Sequence, residues 1–241
     1  MLHLHRAVAH ISMTHGLFIT GTDTGVGKTF VTTRIARELQ ATGVRVGIYK
    51  PACSGSESDE SGRPMWEDVD AHFHALNEEF PRKRICPQCF HAPLAPPVAA
   101  AAEGRVVDAD LLQAGADWWR DRVDVLLIEG AGGLLCPLTE STSIADLAVD
   151  LGFPLLIVAR LGLGTINHTL LTVEVARSRG LSMTGVVLND HPPQTNDPAT
   201  QTNPEEIAQR SGVPFLGVIR SGMLESELGL AVDWNALIVS S

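Results

Sequence analysis

The residues best placed to do chemistry are Gly21-Thr22-Asp23-Thr24-Gly25-Val26-Gly27-Lys28-Thr29, between an apolar run, Leu17-Phe18-Ile19, and a helical pattern. Strand, glycine-rich loop and helix in that order form a phosphate cradle. Gly25 and Gly27 let the backbone turn so that successive N–H groups face phosphate oxygens, and the following helix dipole adds to that field. Lys28 is expected to reach the outer phosphates and the Thr29 hydroxyl to hold Mg²⁺. Five residues separate Gly21 from Gly27, and Thr22 stands where the common motif has its first glycine, so the loop is one residue longer than usual.

A phosphate cradle needs further charges, and these lie at strand ends. Val44 to Tyr49 reads as a second strand, placing Lys50-Pro51 at its carboxyl end, where open α/β sheets keep their ligand crevice. From position alone, Lys50 is equally a solvated loop lysine. Val123 to Ile128 is apolar on both faces, as in a parallel sheet, and runs into Glu129-Gly130-Ala131-Gly132-Gly133. A carboxylate at that tip is where phosphate-loop proteins keep a second metal ligand, so Glu129 is expected to join Thr29 at Mg²⁺. Asp68-Val69-Asp70-Ala71 opens a helix, and either aspartate can face metal, although a capping role is the better reading of these residues alone. The turn Gly162-Leu163-Gly164-Thr165-Ile166-Asn167-His168 starts a helix whose N-terminus is a second potential anion site.

The elements that must position these groups alternate. Helices are expected over Thr29 to Thr42, Asp108 to Arg120 with Asp108 as N-cap, Ser143 to Leu151, and Thr165 to Arg179. A further helix is expected to start with Pro204 at its first position and to run through Gln209. Strands are expected over Pro154 to Ala159, Met183 to Leu188 (leading into Asn189-Asp190) and Phe215 to Ile219. This pattern predicts an α/β fold of the P-loop NTPase kind: one domain over 16–241, a mostly parallel sheet flanked by helices. Residues 1–15, rich in histidine, are expected to be a disordered extension, and the Ser/Gly/Asp/Glu-rich stretch from Ser54 to Pro64 a mobile loop.

The 241 residues carry 28 acidic and 18 basic side chains and a net charge of −10, with no basic stripe, which argues against nucleic acid. No apolar run is long enough to span a bilayer, the N-terminus lacks secretory features, and four cysteines suggest no disulfide framework; a cytoplasmic protein is expected. Cys86-Pro87-Gln88-Cys89 is a single C-x-x-C without a second pair or a thioredoxin-like context, so neither zinc nor redox chemistry is expected of it.

The loop, Lys50-Pro51, the Glu129 to Gly133 run, the Gly164 to His168 stretch and Asn189-Asp190, in this order over about 16–220, closely resemble the dethiobiotin synthetases. That resemblance implies closure of the ureido ring of dethiobiotin from 7,8-diaminopelargonate, CO₂ (or bicarbonate) and MgATP. It passes through a carbamate and a carbamic–phosphoric mixed anhydride, in a homodimer with the substrate site at the subunit interface. By resemblance, Lys50 and Lys28 are catalytic cations, and Thr29, Asp70 and Glu129 form the Mg²⁺ shell. The same resemblance gives Gly25, Val26, Gly27, Lys28, Thr29, Phe30, Asp70, Glu129, Gly130, Ala131, Gly132, Asn189 and Asp190 to the nucleotide, with Asn189 reading the base. Thr24, Lys50, Ser54, Gly164, Thr165 and Asn167 go to the substrate. Arg220 stands where many relatives have proline, which leaves the base contacts there open. A corrinoid-type amidotransferase would need a glutaminase domain for which the chain is too short. A partition-type ATPase usually has a lysine early in the loop, where Thr22 stands here.

Overall fold

A computed structural model describes residues 15–190, 197–220 and 232–239. The apolar runs become six parallel strands: β1 (His15–Gly21), β2 (Val46–Tyr49), β7 (Val125–Gly133), β8 (Leu155–Arg160), β9 (Met183–Asp190) and β10 (Phe215–Arg220), in spatial order β10-β9-β8-β1-β7-β2. Between β2 and β7 lie four two-residue strands, β3 (Cys53–Ser54), β4 (Glu57–Ser58), β5 (Pro64–Met65) and β6 (Cys89–Phe90). The helices are α1 (Lys28–Ala41), α2 (Glu67–Ala75), α3 (Arg82–Ile85), α4 (Pro96–Ala102), α5 (Ala109–Asp117), α6 (Ile144–Leu151), α7 (Thr165–Ser178), α8 (Ala199–Arg210) and α9 (Trp234–Val239).

The central strands carry long apolar runs because helices cover the sheet; Leu17, Phe18, Ile19, Leu126, Leu127, Ile128, Leu156 and Ile157 are all buried. Gly47 in β2 is small because the Trp119 indole packs on it: a Cβ there would meet Trp119 Cε3 at 2.4 Å. Tyr49 donates its buried hydroxyl to the carbonyls of Leu111 and Leu112, 2.9 Å away each, fixing α5 over β2. Helix ends follow their caps. Asp108 accepts from the Asp110 and Leu111 N–H groups, and Ser143 forms a reciprocal capping box with Asp146.

Several expectations need correcting. The helix placed at Pro204 starts at Ala199, with Pro204 inside it. Proline forfeits one intrahelical bond there, but tertiary ties hold the earlier turn. Asp197 accepts from both Ala199 N–H (2.9 Å) and Leu163 N–H (2.6 Å), and buried Asn203 donates to Leu161 and Gly162 carbonyls at 2.7 and 3.0 Å. The 54–64 stretch is not wholly irregular: Glu57–Ser58 pairs antiparallel with Pro64–Met65. The expectation for 1–15 lies outside the described residues, except that His15 opens β1.

Candidate active site

Tight turns carry the loop from β1 into α1. Gly27 caps α1 at φ 91°, and a Cβ there would collide with the Asn189 amide nitrogen at 1.9 Å, so only glycine fits. Asn189, at the end of β9, donates to the Val26 carbonyl at 3.0 Å and braces the loop from behind. Among the described residues its buried Oδ1 has no partner. Lys28 follows Gly27 directly; its ammonium donates to the Asp23 carbonyl at 3.2 Å, and the side chain is buried. Burial lowers its pKa, and the neighbouring Lys50 ammonium lowers it further.

Three elements converge on the Thr29 hydroxyl. It lies 2.7 Å from Asp68 Oδ1, on the first turn of α2, and 2.9 Å from Glu129 Oε1, in β7. Lys50, just after β2, places its ammonium 2.7 Å from Glu129 Oε1 and in contact with Asp68 Oδ2. Its own N–H is tied to the Ile85 carbonyl at 2.7 Å. Burial alone would lower the Lys50 pKa, but Glu129 and Asp68 outweigh it and hold the ammonium well above its ordinary value. Glu129 is the mirror case: burial would raise its pKa, and Lys50 and His72 bring it well below the carboxylate range. His72 Nε2 lies 3.0 Å from Glu129 Oε2, both side chains being fully buried.

These groups sit in a cleft of about 880 Å³. Its lining includes Thr24, Gly25, Gly27, Phe30, Ser54, Ala131, Gly132 and Cys136, besides Lys28, Thr29, Lys50 and Asp68. The donor set around Thr29 is all hydroxyl and carboxylate oxygen, which fits a hard divalent cation such as Mg²⁺. One wall therefore offers backbone amides and lysines suited to phosphates, and another offers oxygens suited to the metal that accompanies them.

The family described as an AAA domain matches residues 15–222. The ATP-dependent dethiobiotin synthetase of Anaeromyxobacter sp. (strain Fw109-5) is 49% identical over 197 residues, covering 82% of this chain and 86% of that one. The enzyme of the same name from Bacillus subtilis (strain 168) is 39% identical over 208 residues, covering 84% and 86%. The chain belongs to the ATP-dependent dethiobiotin synthetase family. Among solved structures, a ParA family ATPase from Chlorobium tepidum TLS aligns with TM-score 0.49 and 12% identity over 94% of this chain and 90% of that one.

In this dethiobiotin synthetase family member, the residues read from sequence divide into those the cleft gathers and those it does not. Lys28, Thr29, Lys50, Thr24, Ser54, Phe30, Gly25, Gly27, Ala131 and Gly132 line it, and Glu129 lies behind Thr29. Asp70 does not belong with them. Its carboxylate pairs with Arg82 Nε at 2.6 Å and faces a second cavity, while Asp68 takes the place beside Thr29. The reason is helical phase: two residues apart on α2, the two aspartates point to nearly opposite faces. Glu129 is not at a strand tip either, because β7 continues to Gly133. Gly130 packs against Ile144 and Phe18. Gly164, Thr165 and Asn167 lie at the N-terminal end of α7 and are not among the side chains lining the cleft. Asp190 ends β9, beside Asn189.

Sequence reading weighed Asp68 beside Asp70 but chose Asp70, and it missed His72. A helical wheel carried the signal: Asp68 and His72 stand four residues apart and so share a face, next to the buried Val69 and Ala75.

Proposed function

We propose that the chain closes the ureido ring of dethiobiotin, using 7,8-diaminopelargonate, CO₂ and ATP with Mg²⁺ and releasing ADP and phosphate. The relatives' shared name supports the product and the nucleotide. The observation that carries the reaction is the meeting of Lys28, Lys50, Thr29 and Asp68 in one cleft with Thr24 and Ser54, with the Glu129 carboxylate directly behind Thr29.

The chemistry needs that arrangement. One amine of the diamine takes up CO₂ and loses a proton, giving a carbamate. A carbamate oxygen must then attack the γ-phosphorus, so two anions have to approach each other. Loop amides and Lys28 hold the triphosphate, and Lys50 offsets the charge that gathers between carbamate and phosphoryl oxygens. Mg²⁺, held by Thr29, Asp68 and Glu129, would neutralise charge on the phosphate oxygens. ADP leaves, and the second amine attacks the carbonyl carbon of the mixed anhydride and expels phosphate. Burial of both lysines strengthens each contact, because screening by water is removed.

The Gly164–Asn167 turn lies outside the cleft, with Leu163 beside it 81% exposed, which supports its use by a second subunit: a homodimer in which it holds the substrate carboxylate. Asn189 Oδ1, buried behind the loop without a partner among the described residues, supports recognition of the base. Among the described residues no helix is long and apolar enough to cross a membrane, and we place the enzyme in the cytoplasm.

Incubation with 7,8-diaminopelargonate, ¹³C-bicarbonate and MgATP should yield dethiobiotin carrying the label, with ADP formed in equal amount. ADP formation with no labelled ring product would overturn the assignment.

A further inference from the structure

Glu129 presents its two carboxylate oxygens to different surroundings. Oε1 faces the Thr29 hydroxyl and the Lys50 ammonium. Oε2 points the other way, towards the imidazole of His72, and lies 3.0 Å from Nε2. Both side chains are fully buried, so water cannot satisfy either of them. The approach is close but poorly aligned: among the described residues, Oε2, Nε2 and Nδ1 have no well-formed hydrogen bond. Buried polar groups left in that condition are costly, and a fold keeps them where they serve a function. A hydrophobic side chain at position 72 would pack between β7 and α2 without that cost.

The helix adds a second observation. His72 stands one turn after Asp68 on α2, so one rigid element presents both the aspartate that meets Thr29 and the imidazole that meets Glu129. A carboxylate that binds metal through one oxygen needs its other oxygen fixed, or the group rotates and the donor is lost.

We propose that His72 is a positioning residue: its Nε2–H holds Glu129 Oε2, so that Oε1 is presented to the divalent cation beside Thr29 and Asp68. The proposal rests on the reading that those three residues hold Mg²⁺. The required tautomer carries its proton on Nε2. His72 touches neither nucleotide nor substrate, and its effect passes through Glu129 alone.

The test uses Mn²⁺ as a paramagnetic probe, titrated into the full-length protein with ADP and followed by electron paramagnetic resonance. Wild type, His72→Leu, His72→Gln and Glu129→Gln are compared. Leu removes the donor, whereas Gln keeps an N–H at about the same reach. His72→Leu should weaken Mn²⁺ binding about 10–100-fold. Metal-free ADP binding should stay within about twofold of wild type, since the loop is untouched, and His72→Gln should recover most of the loss. Mn²⁺ affinity in His72→Leu equal to wild type would overturn the proposal, as would a loss that His72→Gln fails to reverse. Glu129→Gln separates this from the underlying reading: unchanged Mn²⁺ affinity there would mean that the metal site itself is wrongly placed. If His72→Leu does not fold, a crystal structure of the wild type with Mn²⁺ and ADP decides. Metal on Oε1, with Nε2 about 3 Å from Oε2, supports the proposal. Metal on Oε2, or His72 turned away, overturns it.

Discussion

Lys50 concentrates the electrostatic problem of the site in one side chain. It is a buried cation between two carboxylates, and removing it leaves Glu129 and Asp68 unbalanced as well as depriving the reaction of positive charge. Lys50→Ala should lower turnover by at least about 100-fold, the loss typical of one stabilising donor. Nucleotide binding should persist, because the loop is intact; equilibrium binding of a fluorescent ATP analogue beside steady-state kinetics measures both. Turnover within a few-fold of wild type would remove Lys50 from the mechanism. The cysteines give a prediction of a different kind. Burial pushes the Cys53 thiol up to about 12 and raises Cys86 too. A hydrogen bond from Cys86 instead draws Cys89 down, with Lys50 and Arg105 adding to the effect, and Cys89 faces the second cavity. Alkylation at pH 8 follows thiolate fraction and access. Peptide mapping after brief iodoacetamide treatment should find Cys89 labelled well before Cys53, and equal labelling would contradict the electrostatic picture.

At the scale of elements, α2 decides which aspartate meets the Thr29 hydroxyl. Asp68→Asn should cut turnover by about 10–100-fold and raise the Mg²⁺ needed for half-maximal rate, as loss of a ligand does. Asp70→Asn, which breaks only the pair with Arg82, should stay within a few-fold of wild type. A magnesium titration of both variants tests this, and the reverse ranking would restore Asp70. The contrast shows what a sequence carries. The loop from Gly21 to Thr29 was legible because its chemistry is local: glycines, lysine and threonine act within one turn of chain. Lys50 was legible because the end of β2 fixes its next residue, and Glu129 because it is the first charged residue after an apolar strand run, although β7 continues past it to Gly133. Asp68 against Asp70 needs the rotation of a helix, which depends on what Val69 and Ala75 bury against. His72 becomes notable only once β7 is beside it. The start of α8 depends on Asn203 reaching the turn just after β8. Packing also sets a limit at β2: Gly47→Val drives a side chain into Trp119. We expect it to cost about 1–3 kcal/mol. Thermal unfolding should register that as a Tm lower by about 2–4 °C per kcal/mol.

For the whole molecule, the parallel order β10-β9-β8-β1-β7-β2 brings the carboxyl ends of β1, β2 and β7 together; the residues after β1 and β2 supply the loop and Lys50, and the last residues of β7 supply the Glu129 run. The alternation of strands and helices announced this architecture, whereas the strand order came only from the fold. The central claim is that this rim joins a carboxylated diamine to the end of a nucleotide tail. Phosphate release, followed continuously while 7,8-diaminopelargonate, bicarbonate and MgATP are added singly and together, tests it most directly. The account predicts rapid release only when all three are present. Steady release from MgATP alone, unchanged by the diamine and bicarbonate, would contradict it.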